Sequence, residues 1–333
     1  MENTALTDRF GRRHDYLRIS LTERCNLRCV YCMPAEGIVL RPRDQFMRTE
    51  EVLAIARTFT DMGVKKIRLT GGEPLVRKDA AHIIRDLGRL PVELAITTNG
   101  VLVDEYIDVF KEAGLRSVNV SLDSLRPERM RAISRRDPFA RTTANIRLLQ
   151  SCGFQVKVNM VVMRGTNDDE ITDFMAWSRD EPVHVRFIEF MPFNGNRWDW
   201  SNGVPEAEIL AWATERFGFA GFERITDRPN DTAHNYRLTG GKGTFAIISS
   251  VTNPFCDTCN RIRLTADGKL KNCLFGKTET DLLAELRSGG DIRPLIAASV
   301  LNKQAVRGGM DSFEKLSDPA LHGANRSMVA IGG

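Results

Sequence analysis

The sequence predicts an α/β protein with a mostly parallel sheet, in the form of an incomplete barrel of six βα units. Two observations support this prediction. Short runs rich in β-branched residues alternate with helical patterns through the first 190 residues, and such alternation is typical of parallel strands joined by right-handed helical crossovers. Counting the first strand gives six units, whereas a closed barrel of this type has eight. We therefore expect a three-quarter barrel followed by a C-terminal region.

The predicted strands and helices follow one another in a regular order. The first strand is the alternating stretch 16–21, and the helix 49–62 begins at Thr49, a candidate N-cap. Several later helices end in glycine, as at Gly88 and Gly153. The other strands are predicted at 66–70, 92–97, 117–121, 155–162 and 183–190, and the other helices at 79–88, 103–113, 126–151 and 168–180. Ligands of parallel α/β sheets bind beyond the carboxyl ends of such strands, so we expect the site there.

The alternation of strands and helices changes near residue 200, where we place a domain boundary. The predicted domains are 1–200, the partial barrel, and 201–333, a C-terminal region. The second domain has a predicted helix at 205–217 and a predicted strand at 244–250, and its segments without a recognisable motif are 219–240 and 276–325.

Composition excludes several classes of protein. The chain has 333 residues, of which 42% are hydrophobic and 27% charged, as in soluble globular proteins. A net charge of +4 is too small to indicate nucleic-acid binding, and no run approaches the roughly 18 apolar residues of a membrane span. Six of the seven cysteines form two tight groups, which favours metal sites in a reducing compartment over disulfides. We therefore expect a cytoplasmic protein with no membrane or nucleic-acid partner.

Cys25, Cys29 and Cys32 form a Cys-x3-Cys-x2-Cys run directly after the first strand. Soft, anionic sulfur suits zinc or an iron–sulfur cluster. Structural zinc takes four ligands, usually as two separated pairs, whereas three thiolates on a [4Fe–4S] cluster leave one iron open to a small molecule. The neighbouring Arg24 and Arg28 are expected to lower the thiol pKa values. The run favours an open-iron cluster, with structural zinc as the alternative.

A second cysteine group has the spacing Cys-x2-Cys-x13-Cys and consists of Cys256, Cys259 and Cys273. Between its members, 261–265 alternates like a strand, Asp267-Gly268 is a type I′ hairpin signal, and 269–274 is the expected return strand. The hairpin would bring Cys273 back toward Cys259, although its register, and so the face that Cys273 takes, stays open. This group again fits an open-iron cluster, and zinc with a fourth ligand elsewhere is the alternative.

Cations recur inside predicted strands that are otherwise apolar. They are Arg18, Lys66, Arg68, Lys157 and Arg186, and Arg261 and Arg263 share one face of the strand in the second cysteine group. A buried charge is costly unless it is paired or bound to an anion, although such side chains can also extend outward between helices. The chain has no Gly-x4-Gly-Lys-Ser/Thr loop. Convergence of these cations in one barrel therefore favours a polyanionic ligand held by side chains.

The first cysteine run, with an aromatic residue at Tyr31, and the turn Gly71-Gly72-Glu73-Pro74 resemble the radical S-adenosylmethionine (SAM) family. The resemblance implies a three-quarter barrel. It also implies a [4Fe–4S] cluster on Cys25, Cys29 and Cys32 that binds SAM and cleaves it to methionine and a 5′-deoxyadenosyl radical. The SAM-binding residues that it implies are Tyr31, Gly72, Ser121 and Met191.

The second cysteine group, its Arg-x-Arg and the terminal Gly332-Gly333 resemble the branch of this family that cyclises GTP for molybdenum cofactor biosynthesis. The likeness covers nearly the whole chain. It implies a second [4Fe–4S] cluster on Cys256, Cys259 and Cys273 that binds the guanine edge, abstraction of the ribose C3′ hydrogen of GTP, attack of C3′ on guanine C8, and a tail that reaches the active site. The GTP contacts implied are Arg18, Arg68, Thr97, Lys157, Arg261 and Arg263, with Lys66 and Arg186 as weaker candidates.

The same resemblance implies an electron donor and a functional link to the accessory enzyme that forms cyclic pyranopterin monophosphate. The sequence assigns no catalytic side chain, and both a monomer and a homodimer remain open. Two rival interpretations also remain. One is another radical SAM enzyme with an auxiliary cluster, such as a peptide maturase, and the other is a zinc-stabilised binding scaffold without catalysis.

Overall fold

A computed structural model describes residues 6–39, 41–196, 198–318, 320–321 and 325–332. Strands and helices alternate in its first half as predicted. They are β1 Tyr16–Ser20, α1 Thr49–Asp61, β2 Lys66–Thr70, α2 Ala80–Leu87, β3 Glu93–Thr98, α3 Ile107–Glu112, β4 Ser117–Ser121, α4 Pro127–Ser134, α5 Phe139–Ser151, β5 Gln155–Val162, α6 Ile171–Asp180 and β6 His184–Glu189. The six predicted strands are all confirmed.

Two predicted helical features differ from the structure. The helix predicted at 126–151 is two helices, because Arg135 takes a left-handed φ of 53° and ends α4. Thr49 is the first helical residue of α1 rather than its N-cap. That position belongs to Arg48, whose backbone N–H donates to the carboxylate of Glu51 at 2.7 Å. The acidic side chain thus satisfies an N–H group at the helix start.

The second half of the chain adds strands and short helices. They are α7 Glu206–Phe217, β7 Phe222–Arg224, β8 His234–Leu238, β9 Thr244–Ile248, β10 Arg261–Leu264, β11 Lys269–Lys271, β12 Thr280–Asp281, α8 Leu282–Arg287, α9 Arg293–Leu301, α10 Phe313–Ser317 and α11 Met328–Ile331. Strands β7 and β8 fall in a segment where the sequence showed no motif. Among the described residues, no helix has the length and apolar character needed to cross a membrane.

The twelve strands found in the described residues belong to one sheet, in the order β12-β11-β10-β1-β2-β3-β4-β5-β6-β9-β8-β7. The strands from β10 through β1–β6 to β9 run parallel, and the outer strands at both ends are antiparallel. The predicted mostly parallel α/β fold is therefore confirmed. The residues after 200 extend this sheet at both ends, while the boundary near 200 stays a prediction.

The register of the central strands sorts cations from apolar residues. Arg18 lies opposite both Arg68 of β2 and Arg263 of β10, and residues that are opposite in register point to the same face of a sheet. The alternate residues Leu17 and Ile19 are fully buried in the core between the sheet and the helices. Each such burial contributes about 1.5–3 kcal/mol. The apolar face therefore anchors the helices, and the cations lie on the opposite face of the sheet.

The hairpin between β10 and β11 is confirmed, but its predicted turn type is wrong. A type I′ turn needs positive φ at both central residues, and of Asp267 and Gly268 only Gly268 has it, with a φ of 70°. The backbone N–H of Thr265 donates to the carbonyl of Lys269 at 2.9 Å, which closes a three-residue loop. Gly268 then occupies the left-handed position of a bulge, as in the common three-residue hairpin.

Candidate active site

Two adjoining cavities lie on the cationic face of the sheet. The first cavity contains about 1060 Å³ of empty space and the second about 1030 Å³. The first is lined by one cysteine triad and the second by the other. Five of the described residues line both cavities, namely Thr97, Asn159, Ile188, Met191 and Met328. Because the cavities share this wall, molecules bound in them would lie next to each other.

The first triad lies on a loop that is packed tightly against the end of β2. Gly72 N–H donates to the carbonyl of Thr22 at 2.7 Å, and Glu73 N–H donates to that of Arg24 at 2.8 Å. A Cβ atom on Gly71 would stand 2.6 Å from the Thr22 oxygen, and one on Gly72 would stand 2.5 Å from the Arg24 oxygen. The glycine pair is thus required because the backbone before the cysteines approaches this closely.

Glu73 ties the cysteine loop to the neighbouring strand. Its buried carboxylate accepts hydrogen bonds from the hydroxyl of Thr98 at 2.8 Å and from the backbone N–H of Asn99 at 2.7 Å. The side chain of Asn99 then donates to that of Asn26, inside the cysteine loop, at 2.6 Å. Burial raises the pKa of Glu73 to about 7 in spite of these donors. The turn after β2 therefore positions the triad from behind.

The environment of the first triad raises thiol pKa values rather than lowering them. Burial raises the pKa of Cys25 to about 11 and that of Cys32 to about 12. The predicted effect of the flanking arginines is wrong, because Arg24 is exposed and the guanidinium of Arg28 donates to the carbonyl of Ala35 at an exposed position. Thiols so buried are held as thiolates only when a metal centre neutralises them. Three of them facing a large cavity fit such a centre.

The four residues predicted to bind SAM all line the first cavity, and they are Tyr31, Gly72, Ser121 and Met191. The hydroxyl of Tyr31 donates to Asp123 at 2.9 Å, and the same carboxylate accepts from the backbone N–H of Val161 at 2.9 Å. Burial raises the pKa of Asp123 to about 6. The structure brings the four residues together beside the first triad, and what they bind stays a prediction.

The second triad, Cys256, Cys259 and Cys273, lines the second cavity. The backbone N–H of Arg307 donates to the sulfur of Cys256 at 3.4 Å, and the ammonium of Lys303 donates to that of Cys259 at 3.3 Å. Burial alone would raise the pKa of Cys259, but Lys303 and Arg261 beside it lower it to about 7. In the part of the chain that is described, no group of His, Cys, Asp or Glu is arranged to hold a single metal ion.

Four of the predicted cations line the second cavity, and they are Arg18, Arg186, Arg261 and Arg263. Nε of Arg18 and Nη1 of Arg261 and Arg263 are buried and have no hydrogen-bond partner among the described residues. Burial, and to a smaller extent the positive charge of the neighbouring Arg18, lowers the pKa of Arg263 to about 9. A buried guanidinium N–H without an acceptor is costly, so these groups are suited to bind an anion.

The other predicted cations lie behind this lining. Arg68 is buried and donates to the carbonyl of Ile96 at 3.0 Å and to the hydroxyl of Thr97 at 3.4 Å. Lys66 pairs with Glu93 at 2.6 Å. Burial, and then the charge of Arg186, lowers the pKa of Lys157 to about 8. None of these three cations lines either cavity, whereas Thr97 lines both. The direct GTP contacts of Arg68 and Lys157 therefore stay predictions.

The C-terminal tail enters the site. Met328 lines both cavities, and the backbone after α11 reaches the carboxyl ends of β1 and β2. Gly332 has a φ of 87°, and a Cβ atom there would stand 2.6 Å from the hydroxyl of Thr70 and 2.8 Å from Cβ of Ser20. The predicted approach of the tail is therefore confirmed as far as Gly332, while Gly333 lies outside the described residues.

Sequence reasoning missed two asparagines of the cavity wall. Asn119 and Asn159 line the second cavity, and the amide oxygen of Asn119 is buried without a partner in the described chain. Asn159 accepts from Nε of Arg186 at 2.9 Å. Both lie two residues from another polar position on their strands, Ser121 and Lys157 respectively. This period-two polar pattern within apolar strands was the available signal.

Two family models match the chain. Residues 19–178 match the Radical SAM superfamily, and residues 183–307 match Molybdenum Cofactor Synthesis C. Among solved structures, the crystal structure of Streptococcus suis SuiB aligns with a TM-score of 0.63 at 15% identity, over 91% of this chain and 70% of that one. At this identity the likeness shows a shared fold.

Relatives with known names match over most of the chain. The mitochondrial GTP 3′,8-cyclase of Arabidopsis thaliana is 47% identical over 98% of this chain and 83% of its own length. The GTP 3′,8-cyclase of Listeria welshimeri is 40% identical over 95% of this chain and 93% of its own length. The chain spans about half the length of the animal relatives named molybdenum cofactor biosynthesis protein 1. The chain therefore belongs to the GTP 3′,8-cyclase family of the radical SAM superfamily.

Proposed function

We propose that this chain is a radical SAM GTP 3′,8-cyclase that converts GTP to 3′,8-cyclo-7,8-dihydro-GTP, the first step of molybdenum cofactor biosynthesis. The observation that carries this proposal is the set of buried guanidinium N–H groups in the second cavity that have no acceptor among the described residues. A triphosphate supplies many acceptor oxygens and negative charges to such groups. The names of the plant and bacterial relatives support the same reaction.

The first cavity is the proposed SAM site. Cys25, Cys29 and Cys32 would hold a [4Fe–4S] cluster, and when bound this cluster supplies the electron that cleaves SAM to methionine and a 5′-deoxyadenosyl radical. The chain's own part is to position SAM: Tyr31, Gly72, Ser121 and Met191 line the cavity beside the triad. The hydrogen bond from Tyr31 to the buried Asp123 fixes the tyrosine ring in place.

The second cavity is the proposed GTP site. Cys256, Cys259 and Cys273 would hold a second [4Fe–4S] cluster that binds the guanine edge. Arg18, Arg261 and Arg263 would bind the phosphates, because their forks of N–H donors match phosphate oxygens. Arg68 and Lys157 would add positive charge from behind, and Thr97, fixed by Arg68, would contact the nucleotide.

The wall shared by the cavities suits a radical transfer. Hydrogen abstraction from ribose C3′ requires the deoxyadenosyl and ribose groups to lie in contact, and apolar residues around them exclude water and other hydrogen donors. Ile188, Met191 and Met328 supply such a wall. The inserted tail narrows the same region from the ends of β1 and β2.

The remaining expectations belong to the same proposal. We infer a three-quarter barrel, because β1, β3 to β6 and β10 all contribute residues to one cavity wall. The division into domains near residue 200, the cytoplasmic compartment, the external electron donor and the link to the enzyme that forms cyclic pyranopterin monophosphate are proposed with it. The compartment needs its own measurement, because the plant relative is named mitochondrial.

Anaerobic turnover tests the proposal directly. The reconstituted protein is incubated with SAM, a reductant and GTP, and we expect 5′-deoxyadenosine together with cyclised nucleotide. Omission of GTP should leave only slow, uncoupled cleavage of SAM. A protein that produces 5′-deoxyadenosine but has no affinity for GTP would instead support a radical SAM enzyme of another substrate class. Anaerobic purification that yields zinc without iron or sulfide would support the non-catalytic scaffold.

A further inference from the structure

A buried chain of polar side chains lies behind the second triad. Asp8, His14 and Lys303 are 4%, 1% and 2% exposed. The ammonium of Lys303 donates to the sulfur of Cys259 at 3.3 Å and to the carbonyl of Arg261 at 2.9 Å, and it lies 3.5 Å from Nδ1 of His14. Nε2 of His14 lies 3.1 Å from the carboxylate of Asp8. The chain thus connects the N-terminal segment to a sulfur atom of the triad.

The hydrogen-bonding capacities of these groups fix the direction of the chain. An ammonium has three donors and no acceptor, so Nδ1 of His14 accepts and Nε2 carries the hydrogen that faces Asp8. Asp8 is held in turn by Arg12, whose Nε donates to it at 2.6 Å and whose backbone N–H donates at 3.0 Å. Every donor of the buried Lys303 ammonium therefore has an acceptor, and one of these acceptors is the Cys259 sulfur.

Burial of this lysine needs a reason beyond packing. An ammonium taken out of water costs several kcal/mol unless its partners compensate. A neutral thiol is a weak acceptor, whereas a thiolate forms a charge-assisted hydrogen bond of roughly twice the strength. The arrangement is therefore suited to Cys259 in its thiolate, metal-bound form. Neither Lys303 nor His14 has a part in the reaction proposed above.

We propose that Lys303 is a positioning residue of the second cluster, which holds the sulfur of Cys259 and raises the reduction potential of that cluster. The inference rests on the proposed function, because it requires a [4Fe–4S] cluster on the second triad. A hydrogen bond and a positive charge at a ligand sulfur stabilise the reduced, more negative form of a cluster. Asp8 and His14 keep the ammonium in place from behind.

The test uses the full chain with Cys25, Cys29 and Cys32 changed to alanine, so that only the second triad can hold a cluster. Iron and sulfide analysis after anaerobic reconstitution shows whether the cluster is present, and a redox titration followed by electron paramagnetic resonance gives its midpoint potential. Lys303→Met keeps the length of the side chain but removes its charge and donors. We expect a shift to a more negative potential and faster loss of iron to a chelator, and Lys303→Arg should restore most of the potential.

Lys271→Met is the matched control. Lys271 is another buried lysine, on β11, but its ammonium donates to oxygen atoms of Gly276, Glu279 and Asn325. A midpoint potential in Lys303→Met equal to that of the parent, or a shift no larger than that of Lys271→Met, overturns the assignment. If Lys303→Met does not fold, Lys303→Gln, which removes the charge but keeps a polar side chain with N–H donors, should shift the potential in the same direction. A parent protein that binds no cluster would refute the proposed second cluster itself, which separates the two failures.

Discussion

Replacing Arg326 with alanine tests how the C-terminal tail is held in the active site. Its Nη1 and Nη2 atoms donate to the two carboxylate oxygens of Asp267 at 2.7 and 3.0 Å, and Nη2 also donates to Glu279. The side chains of Arg326 and Asp267 are only 13% and 4% exposed. A hydrogen bond between charged groups contributes about 1.5–3 kcal/mol, but Arg41 also pairs with Asp267 and remains in the variant. We therefore expect a cost of about 2–3 kcal/mol to the docking of the tail.

That cost corresponds to about a 30- to 150-fold increase in the population with an open tail, at about 1.4 kcal/mol for each factor of ten. Hydrogen exchange read by mass spectrometry on the peptide 325–332 measures it. The N–H groups of Ala330 and Gly332 are bonded within the tail, to the carbonyls of Ser327 and Met328 at 3.0 Å each. Their exchange should accelerate by that factor, because local opening exposes them without unfolding the sheet.

Arg85→Ala is the control for this experiment. Arg85 pairs with Glu112 on the surface, where the two side chains are 42% and 53% exposed. Such pairs contribute about 0–1 kcal/mol, so the exchange of the tail should not change. Wild-type exchange in Arg326→Ala would refute the reasoning, since it would mean that the apolar contacts of Val329 and Ile331 hold the tail without the ion pair.

Three further predictions concern the cavities. Arg263→Met should weaken GTP binding by about 10- to 100-fold, because it removes a charged hydrogen-bond donor. Anaerobic calorimetry should show unchanged SAM binding. A GTP affinity equal to that of the wild type would contradict a role of Arg263 in phosphate binding. Gly332→Ala should displace the tail, because the new Cβ would collide with Thr70. If the amide hydrogen exchange of the peptide 325–332 does not change, the close contact at Gly332 does not determine how the tail docks. Burial and then Arg186 lower the pKa of Lys157 to about 8, and a bound phosphate would raise it again. GTP binding should therefore take up protons near pH 8–9 and weaken as the pH rises through this range, and calorimetric heats that do not vary with the ionisation enthalpy of the buffer would argue against it.

Elements specified by local sequence patterns could be predicted, whereas elements specified by contacts between distant segments could not. Strands β1 to β6 have β-branched runs of their own and helices between them, so local patterns were sufficient. Strands β7 and β8 are short and polar, and they are specified mainly by strand pairing, of β8 with β9 and of β7 with β8. The hairpin after Arg261 was predicted from its turn residues, but its parallel pairing with β1 depends on contacts between distant parts of the chain.

The same distinction applies to the site. The cysteine triads were recognisable because most of their spacing is local in sequence. Lys303 approaches Cys259 only in the folded chain, from a segment without a motif, and no pattern could assign it. The prediction of lowered thiol pKa values was wrong because closeness in sequence did not give an interaction in the folded chain. Arg24 and Arg28 are neighbours of the cysteines in sequence, yet the buried environment of the sulfur atoms determines their pKa.

The unpartnered arginines separate two kinds of buried charge. Arg18 and Arg263 lie side by side on neighbouring strands, and each has a buried N–H group without a hydrogen-bond acceptor among the described residues. Arg77, in contrast, donates to the carbonyls of Leu21 and Met47 and to Asp79. Removal of Arg77 should therefore destabilise the fold and leave the cavity intact. Because Nη1 of Arg263 has no acceptor among the described residues, Arg263→Met should raise the melting temperature of the ligand-free protein while it weakens GTP binding. A higher melting temperature together with a lower GTP affinity is the result expected when a buried charge serves ligand binding and not folding.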